Sequence, residues 1–491
     1  MKNSLRFLSI LLAFLMLASV LVSCGEPTPS GGDSSGNASQ SGTEEVLFYE
    51  DLPEMNWENA EYRILARDFE ENNFKNFEVD YDEMPEDVVG LAVWNRNAAI
   101  KAKYGLDVVG KFVNEATTAT AKLALETGDD QYDLILCPNN QLHPFALQGY
   151  LINMSELKYV NLEKDCWNPY ANEQLTMGGK LYYTTNKFML QDKHRTWMLW
   201  YNRTMAQELN LGYLEQEVFD GTWTMDRLIE ISKQGSSEFD GADGMTAGDK
   251  WGVTFSSSYC FAQLVLGTGF RISEKGSDGY PQLVGATDQM VSYIDKVMEL
   301  TNNTDNCFIN GIRPTTEDSQ ASGANIFAEG RAVVMGHAIS FIDNLYKLDF
   351  EYGAIPNPKY NVEQEGYYSV PNVSNGSLMA VPATVYDLDK AGFGLQAISE
   401  EAVNTSYYAY IETRCKLQDA YDEDMAKCLG IIFDGVVYDI AFVNDIGGLG
   451  SVVKTSLVQA GGMNIYASQY KRKEKMANNE LSKVKESYLA H

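Results

Sequence analysis

Between residues 60 and 137 short apolar runs alternate with helix-patterned stretches, and this alternation most narrows the folds open to the chain. Ala60-Glu61-Tyr62-Arg63-Ile64-Leu65-Ala66-Arg67-Asp68 reads as a strand ending in polar residues. The stretch 88–104 places Val89, Ala92, Ile100 and further apolar residues at helical spacing; 106–109 is a second strand and 117–125 a second helix. Tyr132-Asp133-Leu134-Ile135-Leu136-Cys137 is apolar on both alternating faces from Leu134 onward, the pattern of a fully buried strand. Strands alternating with helices build parallel β-α-β units, so the expected class is α/β with open, mostly parallel sheets flanked by helices. Ligands of such sheets bind beyond the carboxyl ends of strands. That marks Asp68 after the first strand, and Asn139 and Asn140 after the third.

Further along, 179–183 and 196–201 read as strands, and 226–233 as a helix. A strand at 251–255 runs into Ser257, Ser258 and Tyr259; a turn and strand at 327–335 run into Gly336-His337. The stretch 290–302 is an amphipathic helix, the pattern turns almost wholly helical from Asn404, and 463–489 forms one or two terminal helices. A body beginning at residue 46 is too long for one ordinary core and suits two domains.

The N-terminus has another character. Lys2 and Arg6 precede a mainly apolar run over 7–22, broken only by Ser9 and Ser19 and too short to span a membrane comfortably. Leu21-Val22-Ser23-Cys24 resembles the lipobox of bacterial lipoproteins, in which a diacylglycerol is attached to the cysteine sulfur and cleavage makes that cysteine the new N-terminus. The resemblance implies a signal peptide over 1–23 and a lipid on Cys24 that holds the protein to the outer face of the cell membrane. Residues 25–45 are rich in Gly, Ser, Thr, Pro and Asn and cannot bury enough surface to offset their conformational entropy. They form a tether with a mean reach of about 25 Å.

The formal charge of −30 argues against nucleic acid as a partner. It becomes more negative once Lys2 and Arg6 are removed with the leader. Six cysteines follow Cys24, none in a C-x-x-C pair, and the chain has 4 His, so a zinc cluster is not expected. The pairing of Cys137, Cys166, Cys260, Cys307, Cys415 and Cys428 stays open; Cys137 and Cys428 read as buried free thiols. Asp240, Asp243 and Asp249 lie in an Asp/Gly-rich loop whose acids miss the 1, 3, 5, 12 spacing of an EF-type site, so a solvated acidic turn is expected rather than calcium, and no cofactor.

Several ordered motifs carry a likeness to a known family. They are Trp94-Asn95-Arg96-Asn97 with Lys103-Tyr104-Gly105-Leu106, and Tyr132-Asp133-Leu134 with Gly149-Tyr150-Leu151-Ile152-Asn153. Gly179-Lys180-Leu181-Tyr182, Tyr201-Asn202-Arg203, Gly221-Thr222-Trp223-Thr224 and Phe327-Ala328-Glu329-Gly330-Arg331-Ala332 follow in the same order. Over roughly 60–470 the chain resembles the extracellular solute-binding proteins of ABC importers, in particular the sugar-type, maltose-binding-like group.

The resemblance implies two α/β lobes with hinge crossovers near 183–187, 338–345 and 395–405. Lobe 1 is then 46–185 plus 342–400, and lobe 2 is 186–341 plus 401–491. It further implies a monomeric, non-catalytic receptor that closes on a carbohydrate and delivers it to permease subunits. Sugars need aromatic faces and planar amides or carboxylates. The candidate ligand residues are therefore Asp68, Asn139, Asn140, Trp167, Tyr259 and His337. A lipid-anchored glycoside hydrolase, or a peptide-binding or sensor protein of the same fold, stands as the alternative.

Overall fold

Strand β1 (Ala60–Arg67) leads to helix α1 (Val88–Tyr104), whose first turn is capped by the Asp87 carboxylate accepting the Gly90 N–H. Gly105 ends that helix at φ 60°, a left-handed position suited to glycine, and the chain turns directly into β2 (Leu106–Val113). Helix α2 (Thr117–Thr127), strand β3 (Leu134–Pro138) and the short helices α3 (Leu142–Leu147), α4 (Pro169–Leu175) and α5 (Leu190–His194) follow. The next elements are β4 (Trp197–Asn202), α6 (Leu214–Phe219), α7 (Met225–Gly235), β5 (Trp251–Phe255) and α8 (Cys260–Gly267). A hairpin of β6 (Ser273–Lys275) and β7 (Pro281–Leu283) precedes α9 (Asp288–Thr301), β8 (Cys307–Ile309), β9 (Ala332–Ala338) and β10 (Tyr352–Ile355). Last come β11 (Ser377–Ala380), α10 (Leu388–Ala402), α11 (Glu423–Asp434), α12 (Ile440–Val443) and the terminal helix α13 (Tyr466–Ala490). This computed structural model describes residues 51–491 apart from 69–75, 115–116, 313–321, 342, 344–347, 418–419 and 458–460. The lipobox and the tether fall outside the described residues.

The strands form two main sheets, ordered β11-β3-β1-β2 and β10-β4-β9-β5-β8. In the first, β1 pairs parallel with β2 from Ala60↔Leu106 to Arg67↔Val113 and parallel with β3, while β11 adds antiparallel. In the second, β5 is parallel to β8 and β9, while β4 is antiparallel to its neighbours β9 and β10, so β4 runs against the direction of the other four strands. Each is buried on both faces. Along β1, Ile64 and Ala66 enter one apolar cluster and Leu65 another, as strand alternation requires. Along β4, Leu199 and Tyr201 face one cluster and Trp200 the opposite one. The architecture is thus α/β in two lobes with a helical C-terminus.

The crossovers differ in part from expectation. The chain leaves the first sheet after β3 and enters the second at β4. It returns between β10 and β11, over 356–376, because β10 pairs with β4. The return expected near 338–345, and with it the assignment of 342–355 to lobe 1, therefore falls too early. The segment 401–491 is also divided. Tyr466, Tyr470, Ala477 and Leu481 of α13 join the large cluster of the second sheet. Val484 and Tyr488 join the cluster beneath the first. The strand expected at 179–183 does not form either. Gly178 and Gly179 turn the chain at φ 56° and 82°, and the Leu181 N–H goes to the Asn153 side chain instead of a neighbouring strand.

Family motifs acquire local reasons. Thr224 caps α7 and Trp223 is wholly buried, its indole N–H donating to the Pro356 carbonyl. Asn202 accepts the Met205 N–H as a cap, and Arg203 pairs with buried Glu215 and with Asp422. Asp133, fully buried, accepts from the Arg63 backbone and guanidinium and pairs with Lys390 of α10. Cys137, Cys166 and Cys428 are buried free thiols, and Cys260 and Cys307 are buried too. Among the described residues no helix is long and apolar enough to cross a membrane.

Two outcomes follow from these burials. Asp133→Ala leaves two cations facing an empty buried site, so urea unfolding should show a loss of about 3 kcal/mol. His143 in α3 is buried with Nδ1 3.1 Å from the Tyr183 hydroxyl, and burial pushes its pKa down to about 4. Because the folded value lies below the unfolded one, its contribution is complete above pH 6.5 and is lost as pH falls towards 4. That loss amounts to about 3 kcal/mol. In unfolding titrations His143→Leu should lack this acid-side decline relative to the wild type.

Candidate functional site

The carboxyl ends of the strands meet the second crossover. At the end of β3, the Asn139 N–H donates to the Gly376 carbonyl and its amide to the Asn372 carbonyl; the Asn140 N–H donates to the Val373 carbonyl. From the other sheet, the Tyr259 hydroxyl donates to the Pro371 carbonyl at 3.2 Å, and the Trp197 N–H to the Val370 carbonyl. The Tyr259 and His337 rings lie 5.4 and 6.0 Å from that of Trp197. Four sequence candidates, Asn139, Asn140, Tyr259 and His337, therefore converge on one region.

The region is tightly filled. Asn139 is fully buried, and a crevice of about 10 Å³ lies beside the β1 end, near Arg67 and Gln191. Arg67 reaches the Asn375 carbonyl at 2.9 Å; burial lowers its pKa, and nearby Arg195 pushes the same way. Burial also lowers the pKa of His337, whose Nδ1 is 3.0 Å from the Ala338 carbonyl, favouring the neutral ring. Burial likewise raises the Tyr259 hydroxyl.

Two candidates lie elsewhere. Asp68 accepts the Asn76 N–H at 3.1 Å. Trp167 is not part of a cleft wall. It is 3 % exposed in the first lobe's core, with its indole N–H donating to Gln396 at 3.1 Å, because 165–168 folds against α10. In the Asp/Gly loop, the buried Asp249 carboxylate accepts the N–H groups of Phe239, Asp240 and Thr246, and Asp240 accepts from Ala242 and Thr246. Asp243 is exposed nearby. Among the described residues no group of three metal-ligating side chains occurs.

A cavity of about 570 Å³ opens beside this region, within the size range of small-molecule sites. Its first-lobe wall is α4, with Tyr170, Glu173 and Gln174; its second-lobe wall comprises Arg271, Glu274, Gln289 and Tyr293. Tyr360, Asn361, Gln364 and Tyr368 of the second crossover line it too. The Tyr293 and Tyr360 rings meet edge to face at 4.8 Å. Arg271 lies 4.4 Å over the Tyr368 ring, with its guanidinium donating to the Phe270 carbonyl at 2.8 Å. Gln289 donates to the Tyr293 hydroxyl at 2.6 Å, and Gln364 to the Gly267 and Gly366 carbonyls. The lobes touch at its rim, where the Gly178 N–H donates to the Gly279 carbonyl at 3.0 Å and Lys275 donates to the Glu173 carbonyl.

Strand-end reasoning missed this cavity. Its aromatics come from a helix flank and an irregular crossover, where no periodicity points to them. The available signal was composition, since Tyr360-Asn361-Val362-Glu363-Gln364-Glu365-Gly366-Tyr367-Tyr368 mixes rings with amides and acids in a stretch without regular pattern.

No protein-family model matches the chain, and no curated protein does. Solved structures do. The ABC substrate-binding protein Lmo0181 of Listeria monocytogenes, in complex with cycloalternan, aligns at TM-score 0.54 and 12% identity over 86% of this chain and 99% of that one. UspC of M. tuberculosis aligns at TM-score 0.55 and 13% identity, covering 86% and 100%. The maltose/maltodextrin-binding domain MalE of Bdellovibrio bacteriovorus, bound to maltotriose, aligns at TM-score 0.52 and 14% identity, covering 86% and 100%. The fold of this chain is that of the ABC substrate-binding proteins.

Proposed function

We propose that this chain is a non-catalytic receptor that captures an oligosaccharide between its lobes and delivers it to the permease of an ABC importer. The observation that carries the reading is the cavity, in which five tyrosines stand among amides and carboxylates contributed by both lobes. Such rings cover the apolar C–H faces of a sugar, while the planar polar groups accept from and donate to its hydroxyls. The carbohydrates in the neighbouring structures, cycloalternan and maltotriose, support the same ligand class. The cavity walls come from two bodies joined by crossovers, an arrangement suited to hinge closure over a ligand.

The lipid on Cys24 belongs to this reading. A receptor that must stay near its permease while its lobes move is served by an anchor followed by a flexible tether. The motif Leu21-Val22-Ser23-Cys24 and the composition of 25–45 support both parts. Cys24→Ala should abolish incorporation of labelled palmitate in expressing bacteria and release the protein from the membrane fraction; a variant that stays labelled rules out this anchor.

Ligand capture is tested by thermal shift with maltotriose, cycloalternan, other linear oligosaccharides and short peptides. A true ligand at a hundredfold excess over its Kd stabilises the protein by about 2.7 kcal/mol. Tyr368→Ala and Tyr360→Ala should each weaken that ligand about tenfold, the loss of one stacked ring, while ligand-free melting changes little. A response to peptides alone, or sustained cleavage of the oligosaccharide, overturns the proposal.

A further inference from the structure

Residues 438 and 439 are consecutive and reach opposite ways. The Tyr438 side chain is buried among Tyr183, Leu181 and other residues beneath the first sheet, and its N–H donates to Gln174 of α4 at 2.9 Å. The Asp439 carboxylate accepts instead from the second lobe, at 2.6 Å from the Ile272 N–H and 2.6 Å from the Ser273 hydroxyl. It also caps α12 through the Ala441 and Phe442 N–H groups. Both residues line the aromatic cavity.

Behind the cavity wall, the Tyr438 hydroxyl donates to Asp192 Oδ2 at 2.7 Å. Asp192, 3 % exposed, sits on α5 in the first crossover, between β3 of one sheet and β4 of the other. Helix α5 touches β11 of the first sheet and 339–341 beside the second. The second crossover arrives at the same point. A Cβ on Gly376 would lie 2.9 Å from the Asn372 carbonyl oxygen, 3.0 Å from Asn139 Nδ2 and 3.2 Å from Asp192 Oδ1, so glycine lets the backbone pass close to both side chains. One hydrogen bond thus connects the cavity wall to the place where two crossovers and the end of β3 meet.

We infer that Tyr438-Asp439 is the element through which an occupied cavity sets the angle between the lobes, with Asp192 as the positioning residue that holds the Tyr438 ring against the hinge. A ligand pressing on Tyr438 acts on α5 through the buried hydroxyl–carboxylate bond and on the second lobe through Asp439. The inference rests on the carbohydrate reading of the cavity and adds to it a route from binding to closure.

The test uses the full folded body, residues 46–491, with maltotriose or whichever oligosaccharide of the thermal-shift panel binds the wild type. Closure is read by small-angle X-ray scattering and affinity by calorimetry. Tyr438→Phe keeps the ring and removes the donor. It should lose the ligand-induced fall in radius of gyration and, with the coupling between binding and closure gone, bind about tenfold more weakly. Asp192→Asn keeps an acceptor for the hydroxyl and should close as the wild type does. If Tyr438→Phe does not fold, Asp192→Ala removes the same bond and should show the same loss of closure. Full closure by Tyr438→Phe, with unchanged affinity, overturns the linkage while leaving the carbohydrate reading intact. A closure defect in Asp192→Asn with none in Tyr438→Phe overturns it too, because charge rather than the hydrogen bond would then be at work. A wild type that binds no oligosaccharide overturns the carbohydrate reading and the linkage with it.

Discussion

The hydrogen bonds that tie residues 370–376 to both sheets decide how the two lobes sit. Each sheet has its own apolar clusters on both faces and could keep its shape without the other. What orients them is a strap of irregular chain. Asn139, Asn140 and Arg67 hold it from the first lobe, and Trp197 and Tyr259 hold it from the second. A typical bond of this kind contributes about 1 kcal/mol net, so the whole strap is worth a few kcal/mol. That is comparable to the binding energy of a small ligand. The cores are therefore rigid on the scale of binding, and their mutual angle is not.

This ratio gives the cavity its character. The rings that would meet a sugar are held before any ligand arrives: Tyr368 by Arg271, Tyr293 by Gln289, and Tyr360 through its backbone N–H to Gln364. Fixing them in the free protein removes part of the ordering cost that binding otherwise incurs. The amides are held too: Gln364 donates to backbone carbonyls, Gln289 donates to the Tyr293 hydroxyl, and the Asn361 side chain accepts from the Glu363 and Gln364 N–H groups. The stacking surfaces are thus preset, which suits a ligand class whose members share ring faces.

How much of this was legible in the sequence follows from where regular periodicity exists. The helix read over 88–104 spans the same residues in the structure, because Asp87 and Gly105 are strong signals at its two ends. The strand at 251–255 also coincides, and those at 60–68 and 132–137 shift by one or two residues at their ends. Fold class was readable for that reason. The lobe boundary was not, because β10 is only Tyr352-Gly353-Ala354-Ile355, too short for a pattern, and its partner β4 lies 150 residues earlier. Of the candidate residues, strand-end logic picked Asn139, Asn140, Tyr259 and His337, which gather at one place but do not line the cavity. It could not find Tyr293, Tyr360 or Tyr368, whose proximity comes from tertiary folding of a helix flank and a loop. Trp167 misled because an aromatic among polar residues looks like a surface ring, while its Gln396 partner is more than 200 residues away.

The terminal helix adds a constraint on any lobe motion. With 25 residues, α13 is a rod about 37 Å long. Its first half is packed in the second lobe's cluster, and its last turns carry Val484 and Tyr488 into the first lobe's. The far end is fastened by polar contacts as well, Lys180 donating to the Tyr488 carbonyl at 2.8 Å and Ser487 to the Leu147 carbonyl. A rigid rod embedded in both bodies permits rotation only about an axis close to where it passes from one to the other, since a distant axis would pull Tyr488 out of its pocket. Tyr438 belongs to the same cluster as Tyr488. A motion that keeps this cluster intact therefore keeps the Tyr438 ring packed as well.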